Sequence, residues 1–102
     1  MATVGMGDLL KISGIRFPVI VVSNNFFNRS GNAMVCPIMI DAQEGPLHIP
    51  ISSGTVQGYV LCEQVRFADL NSRHYVKIGT VGYFDAMDIS DAVMGIFDYQ
   101  QL

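Results

Sequence analysis

The run from Phe17 to Gly31, FPVIVVSNNFFNRSG, passes without a break from β-branched apolar residues to a polar turn rich in asparagine. Pro18 to Val22 has no alternation, so it suits a strand covered on both faces, which requires a sheet with packed material on each side. Asn24 to Asn32 then reads as a loop of Asn, Ser and Gly, holding a helical turn at Asn25 to Asn28. A chain built around such a segment folds about a sheet core rather than as a helical bundle.

At 102 residues, half of them apolar, the chain supports one domain over residues 1–102 and is not disordered. Its apolar runs, such as Pro18 to Val22, are far short of the roughly 20 residues that cross a bilayer. Met1 to Gly7 lacks the basic and apolar parts of a signal peptide, so a cytoplasmic location with no membrane association is expected. In that compartment Cys36 and Cys62 stay reduced, and each lies in an apolar strand pattern as a small buried hydrophobe. No His/Cys/Asp cluster has ligand spacing, so no metal site is expected.

Short strands dominate. Asp8 to Ser13 and Arg16 to Ser23, split by Gly14, form an antiparallel pair. Met34 to Asp41 is a third strand, in which Pro37 marks a bulge or an edge. Leu47 to Ile51 alternates as a half-buried strand, with Leu47, Ile49 and Ile51 on one face. Gly54 to Gly58 reads as a turn, Tyr59 to Phe67 as one strand, and Tyr75 to Ile78 as another that Gly79 ends. From Tyr83 to Phe97 the period becomes helical, and Phe84, Met87, Ile89, Val93, Ile96 and Phe97 make one broad apolar stripe. Asp85 and Asp88 suit the positive end of that helix. The fold class is therefore mainly β: a small, strongly bent antiparallel sheet or barrel closed by a terminal helix.

A net charge of −3 argues against a nucleic-acid partner until its distribution is read. Asp85, Asp88, Asp91 and Asp98 lie together at the C-terminal end, whereas the residues before them carry six cations against five acids. A homodimer can gather those cations along one groove and turn its acidic ends away.

GDLLKI at Gly7 to Ile12, PVIVVSNNFFNRSG at Pro18 to Gly31, GYVLCEQVRFADL at Gly58 to Leu70 and KIGTV at Lys77 to Val81 each resemble a segment of the MazF/PemK toxins, in that family's order. The resemblance implies an SH3-like, CcdB/MazF-like barrel that forms homodimers. It also implies a metal-independent endoribonuclease of a type II toxin–antitoxin system, needing no cofactor. Single-stranded RNA would lie in the groove between subunits, which the cognate antitoxin blocks with a flexible tail.

Cleavage through the 2′-hydroxyl requires a group that takes its proton, charge that stabilises the crowded phosphate, and a donor for the leaving oxygen. Members of the family usually carry an arginine directly before the proline matching Pro18 and a threonine or serine soon after the one matching Pro37. Here Phe17 and Met39 stand in those places, and the preceding loop is cut to Ser13, Gly14 and Ile15. Arg16 is one position removed, which in an extended strand sends its side chain to the other face. Glu63, Gln64 and Arg66 match the acid, glutamine and basic residue of the family's strand. Arg16, Glu63 and Arg66 are thus the candidate catalytic residues, although Glu63 and Arg66 share a side only if a bulge separates them. Ser23, Asn24, Gln64, His74 and Lys77 are candidate RNA contacts, with helix capping an alternative for Ser23 and Asn24. Arg66→Ala is expected to weaken RNA binding more than Arg29→Ala.

Two other functions compete. A MazF-like protein that lost its chemistry would bind nucleic acid or antitoxin without cutting. A CcdB-like gyrase inhibitor shares the barrel, but that likeness calls for a tryptophan near the C-terminus, and the chain has no Trp.

Overall fold

The computed structural model describes residues 3–98 and 100. Seven strands occur among them: β1 Asp8–Ile12, β2 Val19–Val21, β3 Asn32–Met39, β4 His48–Ser53, β5 Val56–Leu61, β6 Arg66–Asp69 and β7 Tyr75–Thr80. Two helices, α1 Asn25–Asn28 and α2 Tyr83–Ile96, complete the described elements. Every pairing is antiparallel, in the order β4-β5-β3-β2-β1-β7, with β6 also paired to β3. The sheet curls until its end strands meet, where the Ser53 hydroxyl donates to the Thr80 carbonyl at 3.0 Å. The result is a curled antiparallel half-barrel with a C-terminal helix.

β3 is the hub of this sheet, and Pro37 shows how one long strand serves three neighbours. Its β2 edge is continuous, and the Ile38 N–H donates to the Pro18 carbonyl. On the opposite edge, residues 32–35 pair with β6 and residues 38–39 pair with β5. By alternation the Pro37 nitrogen faces that second edge, in the gap between the two partners, where a missing donor costs nothing. Pro37 is therefore neither at an outer edge nor in a bulge.

Four readings of the sequence need correction. Tyr59 to Phe67 is not one strand, since β5 ends at Leu61 and β6 begins at Arg66. The turn between them is closed by the Gln64 N–H on the Leu61 carbonyl at 3.0 Å and contains neither Gly nor Pro, so no breaker marks it. Gly58 belongs to β5 rather than to a turn, and Gly79 lies inside β7 beside a register shift at Leu9/Leu10. Arg16 to Ser23 contracts to Val19–Val21, so Arg16 stands outside the strand and outside its alternation.

Two apolar clusters hold the two faces of the sheet. The larger packs Leu9, Ile20, Cys36, Ile38, Val60 and Cys62 under α2, which contributes Ile89 together with Ala86, Ala92 and Val93. The broad stripe expected on α2 is thus narrower, because the helix seats on Ala86, Ile89 and Val93. Phe84, Met87, Ile96 and Phe97 lie to its sides and are exposed. The smaller cluster joins Val4, Leu10, Ile12, Val19, Val21, Val35, Ala68 and Leu70, with Ile15 and Tyr75 packed against it. Both cysteines are free and buried, and burial first, then neighbouring negative charge, pushes the thiols up to about 12 for Cys36 and about 11 for Cys62.

A candidate phosphate pocket

Gly14, Ile15, Arg16, Phe17, Val19, Val35, Pro37, Met39, Gln64 and Arg66 enclose a pocket of about 210 Å³. Three separate pieces of chain build it, two of them bringing its polar groups. Arg16 comes from the short link between β1 and β2, freed from strand alternation by the bend before Val19. Gln64 and Arg66 come from the turn into β6 and from the first residue of that strand. Met39 and Pro37 reach the same place from β3, on the face shared with Val35.

Among the described residues neither Arg16 nor Arg66 has an acidic partner, and both are exposed. The Arg16 guanidinium lies 5.4 Å from the centroid of the Phe17 ring. That contact orients a planar cation beside an apolar surface while leaving its donors available. The pocket therefore offers two guanidinium groups and one amide over a floor of Ile15, Phe17, Pro37 and Met39. Such a set binds a singly or doubly charged anion with an apolar or aromatic attachment.

Glu63 is not part of it. The turn sends Glu63 toward β4, where its carboxylate meets His48 Nε2 at 3.0 Å, while Gln64 and Arg66 face the pocket. The other ring nitrogen, Nδ1, faces the Gln43 carbonyl, so both nitrogens sit against acceptors and the imidazolium is favoured. Its pKa is raised above 6.5, first by the Gln43 carbonyl and then by Glu63. Partial burial acts to raise the Glu63 pKa, but the hydrogen bonds from His48 and from its own backbone outweigh it and the net shift is downward. The bulge needed to bring Glu63 and Arg66 to one side is absent, and a turn stands there instead.

The remaining candidates lie elsewhere. The Ser23 hydroxyl donates to Asn28 Oδ1 and accepts from the Met34 N–H at 2.9 Å. Asn24 caps α1, its Oδ1 accepting from the Phe27 N–H at 2.9 Å. Lys77 Nζ pairs with Asp8 at 3.2 Å. His74 is exposed beside Lys11 and Tyr75 and does not line the Arg16–Arg66 pocket. Sequence reasoning missed Phe17 and Met39 as walls of the pocket, having weighed them only as substitutions for polar groups.

Comparison with known proteins places this architecture. The family model described as "PemK-like, MazF-like toxin of type II toxin-antitoxin system" matches residues 11–97. The fold is similar to that in a MazE–MazF crystal structure from Deinococcus radiodurans, with TM-score 0.83 and 20% identity over 98% of this chain and 100% of the other. It is also similar to an endoribonuclease in complex with its cognate antitoxin from a mycobacterial species, with TM-score 0.79 and 16% identity over 92% and 94% of the two chains. Mycobacterium tuberculosis toxin MazF-mt6 gives TM-score 0.73 at 14% identity, covering 93% and 99%. No curated protein sequence matches. A family match over most of the chain, together with a shared fold over nearly its whole length, means that this protein belongs to the PemK-like, MazF-like toxins of type II toxin–antitoxin systems.

Proposed function

We propose that this toxin is a metal-independent endoribonuclease of single-stranded RNA whose scissile phosphate sits between Arg16 and Arg66. The observation that carries this reading is the convergence of those two arginines and Gln64 on one pocket from separate parts of the chain. In the reaction the 2′-oxygen bonds to phosphorus, the bond from phosphorus to the 5′-oxygen breaks, the leaving oxygen takes a proton from water, and a 2′,3′-cyclic phosphate and a 5′-hydroxyl result. The guanidinium groups stabilise the negative charge that grows on the non-bridging oxygens, a contribution worth about 10² to 10³ in rate per donor. Gln64 holds the same oxygens or a base edge. The apolar floor excludes water from one side of the phosphate.

A guanidinium does not give up its proton in water, and the other lining side chains are an amide, a thioether and hydrocarbons. The 2′-hydroxyl proton therefore passes to solvent hydroxide, and the usual 10² to 10⁴ from a positioned base is forgone. A slow nuclease follows. At about 210 Å³ the pocket is below the roughly 300 to 1,000 Å³ of drug-sized sites, so it holds a phosphate and part of a nucleoside. Homodimer formation would extend it into a groove for more nucleotides, which a cognate antitoxin segment would occupy in the inhibited state.

A second reading, binding without cleavage, draws on one observation: Met39 and Phe17 line the pocket where a proton-accepting group would serve. Incubation with a long unstructured RNA in EDTA decides between them. Discrete fragments ending in cyclic phosphate are expected, and intact RNA that remains bound would leave only the second reading.

A further inference from the structure

A larger recess, about 470 Å³, opens at the other end of the smaller apolar cluster. Val4, Leu70, Tyr75 and the buried Asn28 line its inner part, and Ser30, Asn71 and Arg29 its exposed side. The same cluster includes Ile15, Val19 and Val35, which wall the phosphate pocket, so the two recesses flank one continuous patch of sheet. Arg66 and Leu70 are four residues apart on and just past β6, which separates the sites by about 13 Å.

We propose that this recess is a second nucleotide subsite of the same bound RNA, a reading that rests on the assignment of the Arg16–Arg66 pocket to a phosphate. Charge complementarity supports that occupant. All four arginines of the chain border this side: Arg16 and Arg66 line the first pocket, Arg29 the second, and Arg73 Nη1 donates to the Ser13 carbonyl beside Gly14 at 3.1 Å. The nearby carboxylate of Asp69 is turned to the Asn71 N–H, from which it accepts at 3.0 Å. The aspartates of α2 sit on a helix whose Ile89 packs into the larger cluster, on the opposite face of the sheet.

The chemistry of the recess suits a base with its phosphate. Arg29 has no acidic partner among the described residues, and its guanidinium lies 5.9 Å from the centroid of Phe26, which is 80% exposed. Phe26 lies outside the recess itself, next to the lining residue Arg29, and this exposed ring and planar cation side by side form a stacking platform for an unpaired base at the edge of the recess. The Asn71 amide, already ordered by donation to the Ser30 carbonyl at 3.2 Å, keeps its oxygen free of any side-chain donor within the described residues. A gap of about 13 Å corresponds to about four stacked nucleotides at roughly 3.4 Å each. A short RNA fills the phosphate pocket alone, and a longer one reaches both.

Binding of 2′-O-methyl oligoribonucleotides of three and eight residues, which cannot be cleaved, tests this by fluorescence anisotropy. The eight-residue strand is expected to bind the wild type at least tenfold more tightly than the three-residue strand. Arg29→Ala should remove about 0.7 from the salt slope of the longer strand, as for one lost phosphate contact, and leave the shorter one unchanged. Arg66→Ala should weaken both, and Arg29→Lys should restore the salt slope. If Arg29→Ala binds the longer strand as the wild type does, or weakens both lengths alike, the subsite is wrong while the phosphate pocket stands. Failure of the wild type to bind either strand overturns both assignments.

Discussion

His48 stands between two acceptors, and that arrangement fixes how Glu63 behaves. The raised pKa of His48 means that its contribution to stability is complete below its ordinary 6.5 and is lost as pH rises through the higher folded value. Glu63 has a lowered pKa, so its contribution is present above its ordinary 4.5 and is lost as pH falls through the lower folded value. The pair therefore works in the window between those limits. Glu63→Gln should lower the His48 pKa yet leave it above 6.5, because the Gln43 carbonyl is the larger cause. Titration of the ring protons by NMR checks this, and an unchanged pKa would show that the carboxylate does not reach the ring. At this scale the family resemblance pointed to Gln64 and Arg66, and both line the one pocket. The sequence hid the role of Glu63, because its partner on β4 is fifteen residues away in the chain.

β5 meets β3 so closely at Gly58 that the element itself depends on a missing side chain. A Cβ there would lie 2.9 Å from the Met39 carbonyl carbon and oxygen, and the backbone φ of 151° disfavours any L residue with a side chain. Gly58→Ala is expected to destabilise the protein by about 2 kcal/mol or more, measured by urea denaturation. A change under about 0.5 kcal/mol, the range of an ordinary surface substitution, would contradict the close approach. The glycine was read as a turn residue because its reason for being there is a neighbouring strand, which local pattern does not contain. The helical turn at Asn25–Asn28 and the period of α2 were legible, since capping and 3.6-residue spacing are local. Which face of α2 is buried was less so. Ala86 and Ala92 allow the helix to sit close, and larger residues fall to the sides. Truncating Leu9, fully buried beneath that helix, should cost about 2 to 5 kcal/mol as Leu9→Ala.

Over the whole molecule, the curled sheet separates two chemistries. One face carries α2 with its aspartates, and the other gathers arginines around the smaller cluster. The segregation of acids toward the C-terminal end was visible in the sequence, but the meeting of Arg16 with Arg66 was not, because it depends on how far β2 is shortened and where β5 gives way to β6. If solvent hydroxide takes the 2′-proton, the cleavage rate should rise about tenfold per pH unit across neutrality. A plateau would contradict that path for the proton. The most direct measurement is the single-turnover cleavage rate of a long single-stranded RNA in EDTA by the wild type, Arg16→Ala and Arg66→Ala. Each variant should be slower by about 10²-fold or more while remaining folded, and cleavage at the wild-type rate by either would contradict a phosphate held between the two arginines.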